Sequence, residues 1–508
     1  MWSRHAVAWA RRRPRPRTTK VQESGRRPLA LPPRRRPILI ALTGWLVAMV
    51  AFGGYAAQGQ PAKSVFGPAQ SYVVGATHLF GITVPTGDLD GDGDVDLAVT
   101  SEGTAANRTG GKLVVMENDG QGRFSPGFSE TLLTSQHLAS TAARCFSVGR
   151  GAAIVDVNND GRNDVLAADA GSPQILPGPH PTRCPGWVVA FLNNGDGTFT
   201  RHVTETDPRP LGVGVADFNR DGKLDFLIDN EDVDTAQIFL GSGDGTFTER
   251  QTIDFTAGGP NPFCDSPHFP AAADLNADGL ADGLIPCNNN GPIMFLPGNG
   301  DGTVGPPQVI DAGRANNFPD QPPPTPRRAR PHTIAIDNFL GPGQRRAPDF
   351  AVANTGPVQP NPSVSVFIND PPGTFTEETA SPYRAGDVPG ARTSFIVSGQ
   401  FTGIQNPQPD QRPDICVTSG FPNPGPQYIS CFSNSEKTIT RPDGSIVKTQ
   451  FRPAPGSPFL ITQALNFEDA IRELTAGDFN GDGKADIAVI DRGGADPQAN
   501  RLGVLLHN

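Results

Sequence analysis

The sequence predicts an all-β fold, and three observations predict it. Gly and Pro number 59 and 52 in 508 residues, a composition that favours many turns between short strands over helices. Segments such as "VVAFLNNGDGTF" and "QIFLGSGDGTF" alternate with period two and run into Gly-Asp turns, the pattern of β-hairpins. An acidic stretch recurs five times, as "GDLDGDGDVDLAVT", "VDVNNDGRNDVLAA", "ADFNRDGKLDFLID", "ADLNADGLADGLIP" and "GDFNGDGKADIAVI". Repetition at this scale, with about four strands to a unit, marks a ring of blades whose radial arrangement leaves few exposed edges. The architecture expected is a seven-bladed β-propeller of four-stranded antiparallel blades.

The count of seven follows from the spacing. The acidic stretches begin at Asp88, Asp156, Asp217, Asp274 and Asp478. The interval between the last two holds two weakened units, "NFLGPGQRRAPDFAVAN" from Asn338 and "QFTGIQNPQPDQRPDICVTS" from Gln400, which keep the flanking apolar alternation without the acidic loop. The last unit stops one strand short at "RLGVLLHN", and "SVFGPAQSYVVG", residues 64–75, reads as the strand it lacks. That segment is expected to complete blade seven and close the ring. Three insertions interrupt the period: a Pro-rich stretch from Gln321, residues 404–413, and "NSEKTITRPDGSIVK" from Asn434, which reads as a hairpin extended around Pro442-Asp443-Gly444.

The acidic stretch has the chemistry of a hard-cation loop. Ca²⁺ takes six to eight oxygen ligands, which a sharply turning chain can present from alternate residues. Positions 1, 3, 5 and 9 are Asp88, Asp90, Asp92 and Asp96 in the first unit and Asp156, Asn158, Asp160 and Asp164 in the second. They are Asp217, Asn219, Asp221 and Asp225 in the third, Asp274, Asn276, Asp278 and Asp282 in the fourth, and Asp478, Asn480, Asp482 and Asp486 in the seventh. A Gly stands at position 6 each time. Position 7 wanders through Asp94, Arg162, Lys223, Leu280 and Lys484, as a residue that offers only its carbonyl is free to do. The alternative is an Asx-type turn without metal; a carboxylate at position 9, which a plain turn does not need, favours the cation. Mg²⁺ demands stricter octahedral geometry, and Zn²⁺ would lack its His and Cys ligands. About five Ca²⁺ sites are expected. Asp196, Asp244 and Asp301, in the outer turns, read as turn formers.

These loops resemble the FG-GAP or VCBS repeat, the Dx[DN]xDGxxD calcium loop of seven-bladed propellers such as the integrin α-subunit head. The resemblance covers residues 64–508, with blades five and six departing from it where Asn338 and Gln400 replace the first Asp. It implies an extracellular propeller stabilised by calcium, with the metal loops on one face and ligands bound on the other. Similar repeats occur in adhesins, lectins and modules of polysaccharide-cleaving enzymes, and fold does not choose among these.

Charge and cysteines fit an exported protein. The net charge of −10 conceals a basic stretch, residues 1–36, with twelve Lys and Arg against Glu23 alone; the remainder is strongly acidic, which argues against nucleic acid as a partner and for bound cations. Arg34, Arg35 and Arg36 precede an uncharged, mostly apolar run from Ile38 to Ala57. Residues 37–60 therefore read as a cleaved signal peptide or as a membrane anchor with its basic end inside. Either places residues 61–508 outside the cytoplasm, secreted, extracellular or periplasmic, with membrane contact only through an uncleaved anchor. Cysteines that neighbour in sequence are expected to pair, Cys145 with Cys184, Cys264 with Cys287 and Cys416 with Cys431, although six allow fifteen connectivities and free buried thiols are the alternative.

No GxSxG, HExxH or CxxC motif appears. Six residues before each loop's first position stand Ile82, Arg150, Leu211, His268, His332, Ser394 and Arg472. Arg150, His268, His332 and Arg472 would place positive potential around the channel mouth opposite the metal loops, a candidate site for an acidic glycan. The sequence thus points to a monomeric, non-enzymatic binding or adhesion module for an extracellular protein or polysaccharide. The alternative is a polysaccharide lyase or hydrolase, which needs Lys, Arg, His or Tyr clustered at one pocket, and only four Tyr and eight His are present.

Overall fold

The computed structural model describes residues 65–74, 81–102, 110–133, 145, 147–171, 175–176, 182–256, 264–289, 291–311, 330–340, 347–355, 363–378, 381–385, 392–401, 412–420, 427–440, 446–461, 471–491 and 501–508. All of these fall in one compact unit, Gln60–Asn508, so the basic stretch and the signal or anchor segment lie outside the described residues.

Seven antiparallel sheets form a β-propeller. Their innermost strands are Gly81–Thr83, Gly149–Val155, Pro210–Ala216, Ala271–Ala273, Pro331–Asp337, Arg392–Gly399 and Ile471–Gly477. Each lies beside the next around the axis, and the seventh lies beside the first. The order within a blade is innermost, second, third and outer strand, as in blade three, with Pro210–Ala216, Asp225–Asn230, Thr235–Gly241 and Phe247–Asp254. Blade six carries the extended hairpin expected from sequence: Gln427–Thr440 pairs with Ile446–Pro453 up to Thr440 opposite Ile446.

Ring closure is by the amino-terminal strand. Gln70–Val73 pairs antiparallel with Arg501–Leu505, Gln70 opposite Val504 and Val73 opposite Arg501. Hydrogen bonds extend the seam, Gly67 N–H to the Leu506 carbonyl at 2.8 Å and Asn508 N–H to that of Val65 at 2.8 Å. Val65, Phe66 and Val74 are buried, and the Phe66 ring packs edge-on against Phe459 at 5.2 Å.

The core consists, among the described residues, of seven apolar clusters, one between each pair of adjacent blades. Period two on the second strands has a meaning here that differs from the usual apolar-in, polar-out rule. In blade two Val165 and Ala167 join the cluster shared with blade one, while Leu166 and Ala168 join the one shared with blade three. Successive side chains point to opposite faces of a strand, and both faces are covered. The strand Asp164–Asp169 is accordingly buried at all six positions.

The three disulfides are those expected: Cys145–Cys184, Cys264–Cys287 and Cys416–Cys431. The last joins directly opposed residues of the second and third strands of blade six. Cys145–Cys184 spans 39 residues, and a closed loop of that length is worth roughly 3–4 kcal/mol in the chain-entropy account. Replacing both cysteines by Ser is expected to lower stability by about that much in denaturant titrations.

Candidate metal loops and channel mouth

Each acidic loop joins an innermost strand to a second strand, so the five stand on one face of the ring. Gly at position 6 has positive φ throughout, 94° at Gly93, 86° at Gly161, 81° at Gly222, 84° at Gly279 and 79° at Gly483. Position 4 is left-handed as well, including Asn159, Arg220 and Ala277, which a non-Gly residue adopts at about 1–2 kcal/mol. The carboxylate at position 1 sits within the turn: Asp88 Oδ1 and Oδ2 accept the Gly91 and Gly93 N–H groups at 2.7 and 3.1 Å, and Asp156, Asp217, Asp274 and Asp478 accept the position-6 N–H in the same way. In blade one, oxygens of Asp88, Asp90 and Asp96 lie within 4.8 Å of one another. In blade four Asp274 Oδ1 is buried without a hydrogen-bond partner. Convergent carboxylates and an orphaned buried oxygen fit a divalent hard cation. The side chains at positions 1, 3, 5 and 9 would hold it with the carbonyl at position 7.

Position 9 corrects the sequence argument. Asp96 is fully buried; its Oδ2 accepts the Leu89 N–H and its Oδ1 the Asn118 N–H, both at 2.8 Å. Asp164, Asp225, Asp282 and Asp486 repeat the pair of bonds. Blades five and six lack the acidic loop, yet Asp349 accepts Asn369 N–H at 2.8 Å, and Asp414 accepts Phe401 and Asn434 N–H at 3.0 and 2.7 Å. A carboxylate at this position therefore serves the turn itself, by satisfying buried backbone donors, and is not a signature of metal alone. Burial pushes Asp96, Asp164, Asp225, Asp282 and Asp486 up to about 6 against these bonds. Asp414→Ala is expected to cost about 2–4 kcal/mol by stranding two buried N–H groups, equally in calcium and in EDTA; denaturant midpoints in both buffers check this.

In five of the seven blades the residue at the end of the third strand carries a second bond, which sequence reasoning missed; in blades three and four Gly241 and Gly298 stand there and give only their backbone N–H. Asn118, Asn193, Asn369 and Asn434 give their backbone N–H to position 9 of their own blade and their Nδ2 to a loop carbonyl of the preceding blade, Phe479, Leu89, Leu275 and Phe339, at 2.6–2.9 Å. His507 Nε2 meets the Phe401 carbonyl at 2.9 Å in the same role. The signal was present as Asn before the outer turn in "VMEN", "AFLN", "VFIN" and "CFSN". In the outer turns, Asp196, Asp244 and Asp301 accept the N–H and hydroxyl of Thr198, Thr246 and Thr303, the turn-forming part expected of them.

Arg150, His268 and His332 stand at the opposite end of the innermost strands, but not as the positive ring that sequence suggested. Arg150 is paired through Nη1 with Glu102, itself buried. His268 Nε2 lies 3.5 Å from Glu231 Oε1 and 3.1 Å from Ser266 Oγ. His332 Nδ1 meets the Ser394 carbonyl at 2.9 Å, and its ring lies 4.9 Å from that of His268 and 5.2 Å from Phe395. Arg209 Nε contacts Glu231 Oε2 at 2.9 Å. Carboxylates one residue past the ends of the second strands, Asp96–Ser101 and Asp225–Asn230, thus compensate the cations. Glu102 and Glu231 share one offset, six residues after position 9, a regularity visible in the sequence. Arg472 lies on the innermost strand of blade seven, and its side chain falls outside the described residues.

Burial acts to raise the Glu231 carboxyl, but hydrogen bonds from His268 and Ser266 and the charges of His268 and Arg209 outweigh it, bringing it down to about 2 from 4.5. A depressed carboxyl contributes stability above its unfolded value that is lost as pH falls through the folded one. Glu231→Gln is therefore expected to be destabilised by at most about 3 kcal/mol at pH 6, with the difference from wild type shrinking between pH 4.5 and 2 in denaturant titrations.

Comparison with known proteins bears on the loops. The FG-GAP-like repeat family matches residues 88–167 and 156–228, and the FG-GAP repeat family matches residues 471–500. Cartilage acidic protein 1 of Xenopus tropicalis is 29% identical over 104 residues, 20% of this chain and 14% of that protein, so the chain spans a small part of this relative's length. Among solved structures, BBS1N in complex with ARL6DN aligns over 88% of this chain and 98% of its own at 11% identity and TM-score 0.47. An Agrocybe aegerita lectin described as recognising non-reducing terminal N-acetylglucosamine aligns over 83% and 87% at 18% identity and TM-score 0.40. Bacillus licheniformis rhamnogalacturonan lyase PL11 aligns over 88% and 75% at 12% identity and TM-score 0.42. With acidic loops in five of its seven blades and family matches on those of blades one, two, three and seven, this chain is an FG-GAP-repeat β-propeller.

Proposed function

We propose that the chain is a secreted or surface-anchored, calcium-binding propeller that acts as a non-enzymatic binding module for an extracellular protein or polysaccharide. The observation that carries the calcium reading is the convergence of Asp88, Asp90 and Asp96 oxygens in blade one, on a loop geometry that four other blades repeat. Calcium would neutralise carboxylates that otherwise repel one another and would fix the turns against the blades. The three disulfides support an oxidising compartment. The compensated charges at the mouth favour a ligand recognised by polar and aromatic contact over one held by net positive potential.

Equilibrium dialysis of the purified full chain is expected to find about five bound calcium ions, and none after Asp-to-Ala substitution at position 1 of all five loops. A stoichiometry near zero in the wild type would overturn the calcium reading. Glycan and protein arrays probed with the calcium-loaded chain are expected to retain a ligand unchanged; release of cleaved saccharide would favour the enzyme instead.

A further inference from the structure

The five loops are not equivalent, and the difference lies at position 7. Its side chain runs across to the first glycine of the outer turn: a Cβ at Gly120, Gly195, Gly243 or Gly300 would fall 2.3–3.1 Å from Asp94, Arg162, Lys223 or Leu280. Held there, a cationic residue is brought back onto its own loop. Arg162 Nη2 pairs with Asp160 Oδ2 at position 5, while its Nε donates to the Asn193 carbonyl at 2.8 Å. Lys223 Nζ stands 3.8 Å from Asp221 Oδ2, and Lys484 Nζ stands 3.5 Å from Asp482 Oδ2 and 2.8 Å from the Asn508 carbonyl. Blades one and four carry Asp94 and Leu280 instead and have no such cation at position 7.

Two further features divide the loops the same way. In blades two, three and seven the position-1 Oδ1 accepts the N–H of position 5, at 3.1, 3.2 and 3.0 Å. In blade four that oxygen, on Asp274, is the orphan; in blade one it accepts the Gly91 N–H at 2.7 Å instead, and the Asp88 carboxylate converges with those of Asp90 and Asp96. The loops without a tethered cation are thus the two whose oxygens are arranged for an external one.

We infer that the loops form two classes of calcium site, tight in blades one and four and weak in blades two, three and seven, where Arg162, Lys223 and Lys484 act as built-in substitutes for the ion. This rests on the calcium reading above. The substitute cation neutralises one carboxylate, occupies an oxygen the metal needs and repels the incoming ion. It also keeps the loop formed when calcium is scarce, so the ring would retain three shaped loops at calcium levels that empty them. One unit charge about 6 Å from a divalent ion, at the dielectric of an exposed loop, corresponds to about tenfold in affinity.

Calorimetric titration of the full chain with calcium chloride tests this. Wild type is expected to show two tight and three weaker sites. Arg162→Met, Lys223→Met and Lys484→Met together are expected to tighten the weak class about tenfold, and Leu280→Lys alone to move one tight site to the weak class; these partly exposed side chains can be exchanged with the fold kept, which circular dichroism checks. Five equal sites indifferent to all four substitutions would overturn the two-class inference and leave calcium binding standing. No calcium uptake by wild type would overturn both.

Discussion

Deletion of residues 65–74 is expected to abolish the cooperative thermal transition. The segment supplies the outer strand of blade seven against Arg501–Leu505 and buries Val65, Phe66 and Val74. Burying three such side chains is worth roughly 5–8 kcal/mol, as much as a whole domain commonly possesses. The loss also frees the edge of Arg501–Leu505, which invites pairing with other chains. Phe66→Ala tests the same seam more gently and is expected to cost about 3–5 kcal/mol. A deletion mutant that melts cooperatively within a few degrees of wild type would show that the ring closes by another route.

Removal of calcium is expected to have the second largest effect. A ligand bound only to the folded state stabilises it by about 1.4 kcal/mol at ten times its dissociation constant, so with calcium at ten times the constant of the weak class five sites would together contribute at least about 7 kcal/mol. At roughly 2–4 °C of melting temperature per kcal/mol for a chain of 150–250 residues, and less for a longer one, EDTA should lower the midpoint by on the order of 10 °C, and added calcium should restore it. Magnesium at the same concentration should restore less, because it gives up its water reluctantly. Identical melts with calcium and with EDTA would remove the metal from the account of this fold.

The parts of this molecule that sequence made legible are those written within a single unit. The acidic loops, the Gly at position 6 and the closing strand each repeat a local pattern, and so they could be counted and placed. The pairing Cys416–Cys431 was expected only from the nearness of the two cysteines in sequence, and the structure places them opposite each other on neighbouring strands. Relations between units were not. Nothing near Asn193 names Leu89, 104 residues away, as the carbonyl it bonds, and nothing near Arg150 names Glu102 as the carboxylate that cancels its charge. Both partners are set by how one blade is rotated against the next, which local alternation does not encode. The Asp at position 9 misled for a related reason: its two backbone donors become visible only when the loop and the third strand are seen together, and its presence in blades five and six as Asp349 and Asp414 shows a role apart from the ion.

The pairing of Gln70–Val73 with Arg501–Leu505 also orders events during synthesis. The first strand of the ring to leave the ribosome is the last to find its partner, some 430 residues later. Contacts of such long separation slow folding, and throughout that interval Val65, Phe66 and Val74 travel as an unpaired apolar strand. Completion of the ring only after Arg501–Leu505 has been made suits this chain better than blade-by-blade completion as it emerges.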